Sequence, residues 1–214
     1  MQIKSKKVAL AAAVSGAAIA AALLAPTGAG AASGYTVSKG GSIKAVNSGN
    51  LVFVDTTSAQ KPKLTCTKLT ESGTAHKGSH KFVPKTYKSA KGLSAAASLT
   101  KNALSGCSNP VTGKATLKPS GTWSLGLSSK SKSGGTGYLY NVTSTVSAAG
   151  CSFTSKGAVY GSYSNSTGVF TGTKTAGLVL SKVSGASCGL VGVKNGDKAY
   201  LSGKVKVTPK VTVK

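Results

Sequence analysis

Apolar and polar residues alternate along most of the chain with a period of two, in short runs broken by Gly, Ser and Asn. That period is the mark of half-buried β-strands, whose successive side chains point to opposite faces. Leu51-Val52-Phe53-Val54 opens the strand series, and Trp123, Leu125 and Leu127 share one face of a later strand. Tyr138, Tyr140, Val142 and Val146 read as one face of the next. Ala199, Leu201, Val205 and Val207 do the same near the C-terminus, with Tyr200, Lys204 and Lys206 opposite. Asn195-Gly196 predicts a type I′ hairpin turn between Leu190–Val193 and Ala199–Leu201. A second turn falls at Asn165-Ser166-Thr167-Gly168. Short strands with turn signals about every 8–12 residues predict an all-β fold, an antiparallel β-sandwich or barrel. One segment dissents. Leu93, Ala97, Thr100 and Leu104 stand at helical spacing and predict one short helix within residues 90–104.

The ends of the chain read differently from its middle. Lys4, Lys6 and Lys7 precede an Ala-rich apolar stretch from Val8 to Leu24, and Ala29-Gly30-Ala31 follows Pro26. This is the anatomy of a secretory signal peptide over residues 1–31, with cleavage before Ala32. Ala is a weak membrane residue, so the stretch reads as a cleaved leader in preference to an anchor. The exported chain then has no transmembrane segment. Residues 32–50 read as an irregular N-terminal segment, 51–208 as the β domain and 209–214 as a tail. The Gly/Ser run at 128–137 reads as a flexible loop that could divide the domain into two halves.

Four cysteines remain after cleavage: Cys66, Cys107, Cys151 and Cys188. An even count in an exported chain implies disulfides, and three connectivities are open. Two separate loops of similar length, Cys66–Cys107 and Cys151–Cys188, are the simplest. Zinc is disfavoured because no C-x-x-C occurs and only two His are present.

Several of these segments together resemble a known group. They are the Ala-rich leader, Leu64-Thr65-Cys66-Thr67, Cys107, the Trp123 strand and Gly150-Cys151-Ser152-Phe153. Cys188-Gly189-Leu190, Asn195-Gly196-Asp197-Lys198-Ala199 and Thr208-Pro209 complete the set. The chain resembles small secreted actinobacterial proteins with four cysteines and a β-rich fold. The resemblance implies a compartment and a fold. Its motifs are structural, and it transfers no functional residue.

Composition removes most chemistries. The 214 residues include 27 Lys, no Arg and only three acids, Asp55, Glu71 and Asp197, for a formal charge of +24. Two-carboxylate catalysis and acidic metal cages need acids the chain lacks. A hydrolase would have to use His76 or His80, which lie in a polar Gly-containing loop where a solvated His is the simpler reading. A metal held by that pair with Glu71 is opposed by Gly78 and by the neighbouring Lys77 and Lys81. The chain therefore reads as a non-enzymatic protein without cofactor or metal.

The charge is the one unusual feature. Between Lys61 and Lys91, Lys77, Lys81, Lys85, Lys88 and Lys91 recur every three or four residues. Such a run can track an anionic polymer: teichoic acid, acidic polysaccharide or extracellular DNA, bound without sequence preference. Base-specific reading is a speciality of Arg, which is absent. The bland reading is that lysines keep an exported protein soluble and guard its strand edges. Two further classes stay open: a secreted antagonist of competitors, and a glycan-binding module stacking sugars on Tyr160 and Tyr200.

Overall fold

The computed structural model describes residues 33–214, which belong to one compact unit. The leader assigned to residues 1–31 lies outside the described residues. Of the two predicted architectures the chain adopts the barrel. Its long strands are β2 (Gly41–Asp55), β3 (Lys63–Ala75), β5 (Ala97–Asn109), β8 (Gly134–Ala148), β9 (Cys151–Ser164) and β12 (Lys198–Thr208). Two further positions are each filled by a pair of shorter strands. β6 (Gly113–Ser120) and β7 (Trp123–Ser131) lie between β5 and β8. β10 (Val169–Gly172) and β11 (Leu178–Ser184) lie between β9 and β12. Each position pairs antiparallel with the next in chain order, and β12 closes on β2 from Ala199↔Asp55 to Thr208↔Lys44. The result is a closed eight-position meander.

The barrel is filled by aliphatic and aromatic side chains such as Ile43, Leu51, Phe53, Leu99, Leu127 and Phe153. Outward positions carry Lys, Ser and Thr, the reverse of the apolar outer band of a barrel in lipid. No helix among the described residues is long and apolar enough to cross a membrane. The two ends close differently. At one end, a ribbon of β1 (Gly34–Val37) and β4 (Gly78–Lys81) meets the C-terminal residues through a Val37↔Val213 bridge. Residues 209–214 are thus a plug and not a free tail: Val213 is 5% exposed, and Tyr163 Oη donates to the Val211 carbonyl at 2.8 Å. At the other end the chain closes with the helix α1 (Ser187–Leu190) and two disulfides, Cys66–Cys107 and Cys151–Cys188, the simplest pairing expected.

Strict alternation misreads the chain wherever a bulge shifts the phase. A register shift between Leu139 and Val142, with Asn141 at φ 58°, splits the face expected to hold four residues. Val142 and Val146 point into the barrel, whereas Tyr138 and Tyr140 pack outside it. Thr100 is bulged out of β5 and exposed, so the inward positions run 97, 99, 102 and 104, and the bulge brings Ala97 and Leu104, seven residues apart, to one face as a helix would. Residues 97–104 are strand, and the one short helix among the described residues stands at 187–190. There it replaces the strand expected before the Asn195-Gly196 turn, because the Cys188–Cys151 bridge draws this segment off the ladder. Residues 34–37 and 41–50, expected to be irregular, are strand. Residues 128–137, expected to be a loop, are the facing ends of β7 and β8 around a two-residue turn.

Candidate functional site: a cationic exterior over buried acids

All 24 lysines among the described residues are exposed, and all three acids are buried: Asp55 at 1%, Glu71 at 2% and Asp197 at 7% exposure. No acidic side chain offsets the lysines on the surface of the described residues. The cause is topological. The lysines occupy outward strand positions and turns, while the acids fall on inward positions or fold into turns.

Lys77, Lys81, Lys85, Lys88 and Lys91 lie on one continuous excursion. Lys77 is in the β3–β4 turn, Lys81 ends β4, and the other three stand on a strap, residues 82–96, that crosses the outside of the barrel. Two backbone bonds tie the strap to β7: Val83 N–H donates to the Leu127 carbonyl at 2.8 Å and Ala96 N–H to that of Leu125 at 2.7 Å. Gly126 makes room for it, since a Cβ there would stand 2.5 Å from Val83 Cγ1. Beneath the strap lies a tyrosine cluster. Tyr87 meets Tyr138 edge-on at 5.7 Å, and Tyr138 meets Tyr160 at 5.3 Å. Burial pushes the Tyr138 hydroxyl up to about 12.

This cluster engages one of the two tyrosines considered for sugar stacking. Tyr160 is half-buried, and its hydroxyl accepts the Tyr87 N–H at 2.8 Å. Tyr200 is half-buried on β12, opposite Val54. The structure does not bring the two into one stacking platform, because Tyr200 stands apart from the tyrosine cluster that packs against Tyr160.

The two histidines are pinned in the structure, in contrast to the solvated loop residues expected. His76 Nε2 is 2.9 Å from Ser98 Oγ. His80 Nε2 donates to the His76 carbonyl at 2.8 Å, its Nδ1 faces Ser94 Oγ at 3.1 Å, and its ring stacks on Tyr35. The His80 ring therefore holds the ribbon to the strap, and the His76 ring holds the β3–β4 turn to β5. No group of three or more His, Cys, Asp or Glu suited to a metal occurs among the described residues.

The acids divide into two kinds. Asp55 Oδ1 accepts the Thr57 and Ser58 N–H groups at 2.9 and 3.1 Å, and Asp197 Oδ2 accepts that of Lys194 at 2.7 Å. Burial first, and then the facing Asp197, push the Asp55 carboxyl above its ordinary range, while the two N–H groups pull it back. These are turn-holding aspartates. Glu71 has no such donor, and burial alone pushes its carboxyl up to about 8.

A further feature escaped the sequence. An open groove of about 610 Å³ is lined by hydroxyl side chains including Ser129, Thr136, Ser162 and Thr171, with Lys130 and Lys204 among them. Its residues come from β2, β7, β8, β9, β10 and β12, so only the closure of the barrel assembles it. No family model, characterised protein or solved structure compared with the chain matches it.

Proposed function

We propose that this is a secreted, non-enzymatic protein that binds anionic polymers of the cell envelope or extracellular matrix by surface charge. One observation carries the reading: every described lysine is outside and every acid is inside. A uniform positive exterior attracts polyanions over roughly one Debye length, about 8–10 Å at physiological salt. Guarding strand edges does not account for the lysines that stand on strands paired on both sides. Lys204 and Lys206, for example, lie on β12, which is paired on both sides.

The strap lysines are the first contact surface. The hydroxyl groove with Lys130 and Lys204 is a second, suited to a polymer that alternates phosphates with polyols: ammonium groups meet phosphate while Ser and Thr hydroxyls meet the polyol. The test is sedimentation of the protein with purified Gram-positive cell walls, with and without their anionic polymers, at low salt and near 0.5 M. Binding that requires the polymer and disappears with salt supports the reading. Binding that survives both conditions removes it in favour of a sugar-stacking site. No binding under any condition removes it in favour of an antagonist acting on competitors.

A further inference from the structure

Glu71 is out of keeping with the rest of the molecule. It is one of three acids in the chain, it is 2% exposed, and Oε1 is buried with no donor among the described residues. It stands on the wall of an apolar cavity of about 50 Å³, otherwise lined by side chains such as Ile43, Ala45, Leu99, Leu125 and Phe170. Burying an unmatched carboxyl among such groups costs on the order of 1–3 kcal/mol or more. A Leu at this position would avoid that cost.

A second atom nearby has the same defect. Asn102 is the cross-strand partner of Glu71 on β5, and its Oδ1 is likewise buried without a donor. Its Nδ2 is occupied, lying 3.4 Å from both the Leu99 and Gly121 carbonyls. Two unmatched acceptors thus sit side by side on adjacent strands.

The barrel wall is interrupted at the same place. β5 pairs with β7 through Ala97–Leu99 and with β6 through Cys107–Asn109, but its residues 100–106 have no ladder partner on that side. The bulge at Thr100 and the break between β6 and β7 near Gly121 leave an opening. Outside it is a groove of about 430 Å³ lined by Thr100, Lys101, Asn102, Pro119 and Gly121, with Glu71 at its base. Glu71 therefore borders both this outer groove and the inner apolar cavity.

We propose that this wall opening is a binding site for a short aliphatic alcohol, with its hydroxyl between Glu71 and Asn102 and its chain in the apolar cavity. A hydroxyl supplies what the pair lacks. It accepts from the Glu71 carboxylic acid and donates to Asn102 Oδ1, whereas an ether or ketone could only accept. The elevated titration of Glu71, about 8, keeps that acid in its donating form at neutral pH. A cation suits the site poorly, because Lys101 borders it and the chain carries +24 overall. Size sets the chain length. Apolar cavities of about 150 Å³ admit benzene, so one of about 50 Å³ takes a few carbons.

The probe is 1-propanol, titrated into the purified protein while methyl and amide NMR signals are followed. The expected result is saturable shifts confined to Ile43, Leu99, Asn102 and Leu125. Glu71→Gln, which keeps a donor and an acceptor, should bind within about threefold of the native protein. Glu71→Leu should bind at least tenfold more weakly. Asn102→Ala, which leaves Glu71 and the apolar cavity in place, gives a second arm, and it should lose at least fivefold. Shifts that never saturate, or that spread over the molecule, would overturn the proposal as a general solvent effect. So would unchanged affinity in Asn102→Ala or in a folded Glu71→Leu, because the cavity alone would then be capturing the chain.

Discussion

The two ends of the barrel solve the same problem with different chemistry. At the stapled end, Asp55 and Asp197 each hold backbone N–H groups, and both disulfides tie the strand starts and α1 together. At the plugged end closure is by hydrogen bonding and apolar contact: Val37, Val211 and Val213 pack inward, and Asn165 exchanges two bonds with the Val213 backbone. The same end contains Glu71, the acid with no donor. Covalent bridges thus secure the end where each aspartate accepts backbone N–H groups, with only Asp55 Oδ2 of those two side chains buried without a donor. The end held by weaker forces carries Glu71, whose carboxyl accepts no backbone N–H group and whose Oε1 is buried without a donor.

The largest expected effect sharpens that contrast through pH. Glu71 titrates near 4.5 in an unfolded chain and near 8 in the folded one. Between those values the native state holds a proton that the unfolded state has released, so stability falls as pH rises. It is full below about 4.5 and is lost by about 8, an effect of roughly 5 kcal/mol. Denaturant melts across this range should show the decline, and Glu71→Gln should remove most of it. Asp55, also raised, acts in the same direction in native and variant alike, so the difference between them belongs to Glu71. A flat native profile would mean that Glu71 is solvated.

Removing a bridge breaks the stapled end. The Cys66–Cys107 pair closes a loop of 41 residues, and Cys151–Cys188 one of 37. Replacing either pair by Ser should cost about 4 kcal/mol by loop-closure entropy. Hydrogen exchange in the bridged protein should be slower at the stapled end than in residues 34–38 and 209–214. If Cys66→Ser/Cys107→Ser is as stable as the native chain, the stapled end owes its order to the aspartate turns and the Cys151–Cys188 bridge. The plug is worth less: Val213→Ala should cost about 2 kcal/mol, read as a drop in the denaturant midpoint, with faster exchange confined to its own end.

The sequence carries the stapled end more openly than the plugged one. Four cysteines of matched spacing announce the bridges, and Asp197 after Asn195-Gly196 announces a turn. Glu71 is hidden by phase. Inward positions on β3 run Leu64 and Cys66, then Leu69, Glu71 and Ala75, because the ladder slips by one residue in between. Alternation counted from Cys66 would put Glu71 outside. The plug is hidden for another reason: Val211-Thr212-Val213 is too short to read as an element, and its neighbours, Val37 and Asn165, are distant in sequence. The hydroxyl groove, drawn from six strands, has no local signal at all. What remains legible is charge, which needs no register.

Charge also gives the smallest effect on stability and the sharpest question about function. Replacing Lys77, Lys81, Lys85 and Lys88 with Gln alters only exposed side chains, so unfolding should shift by no more than about 0.5 kcal/mol. Binding to anionic polymer should nevertheless weaken, and the slope of log affinity against log salt should fall by up to about 3 if all four meet phosphates. The comparison set is Lys44, Lys68, Lys156 and Lys206, equally exposed and on other strands. Both sets remove four charges, so the overall field drops equally. A larger loss from the strap set would locate the contact at residues 77–88. Equal losses would assign binding to the field of the whole barrel, a surface made cationic by withdrawing its acids inside, with no lysine privileged over another.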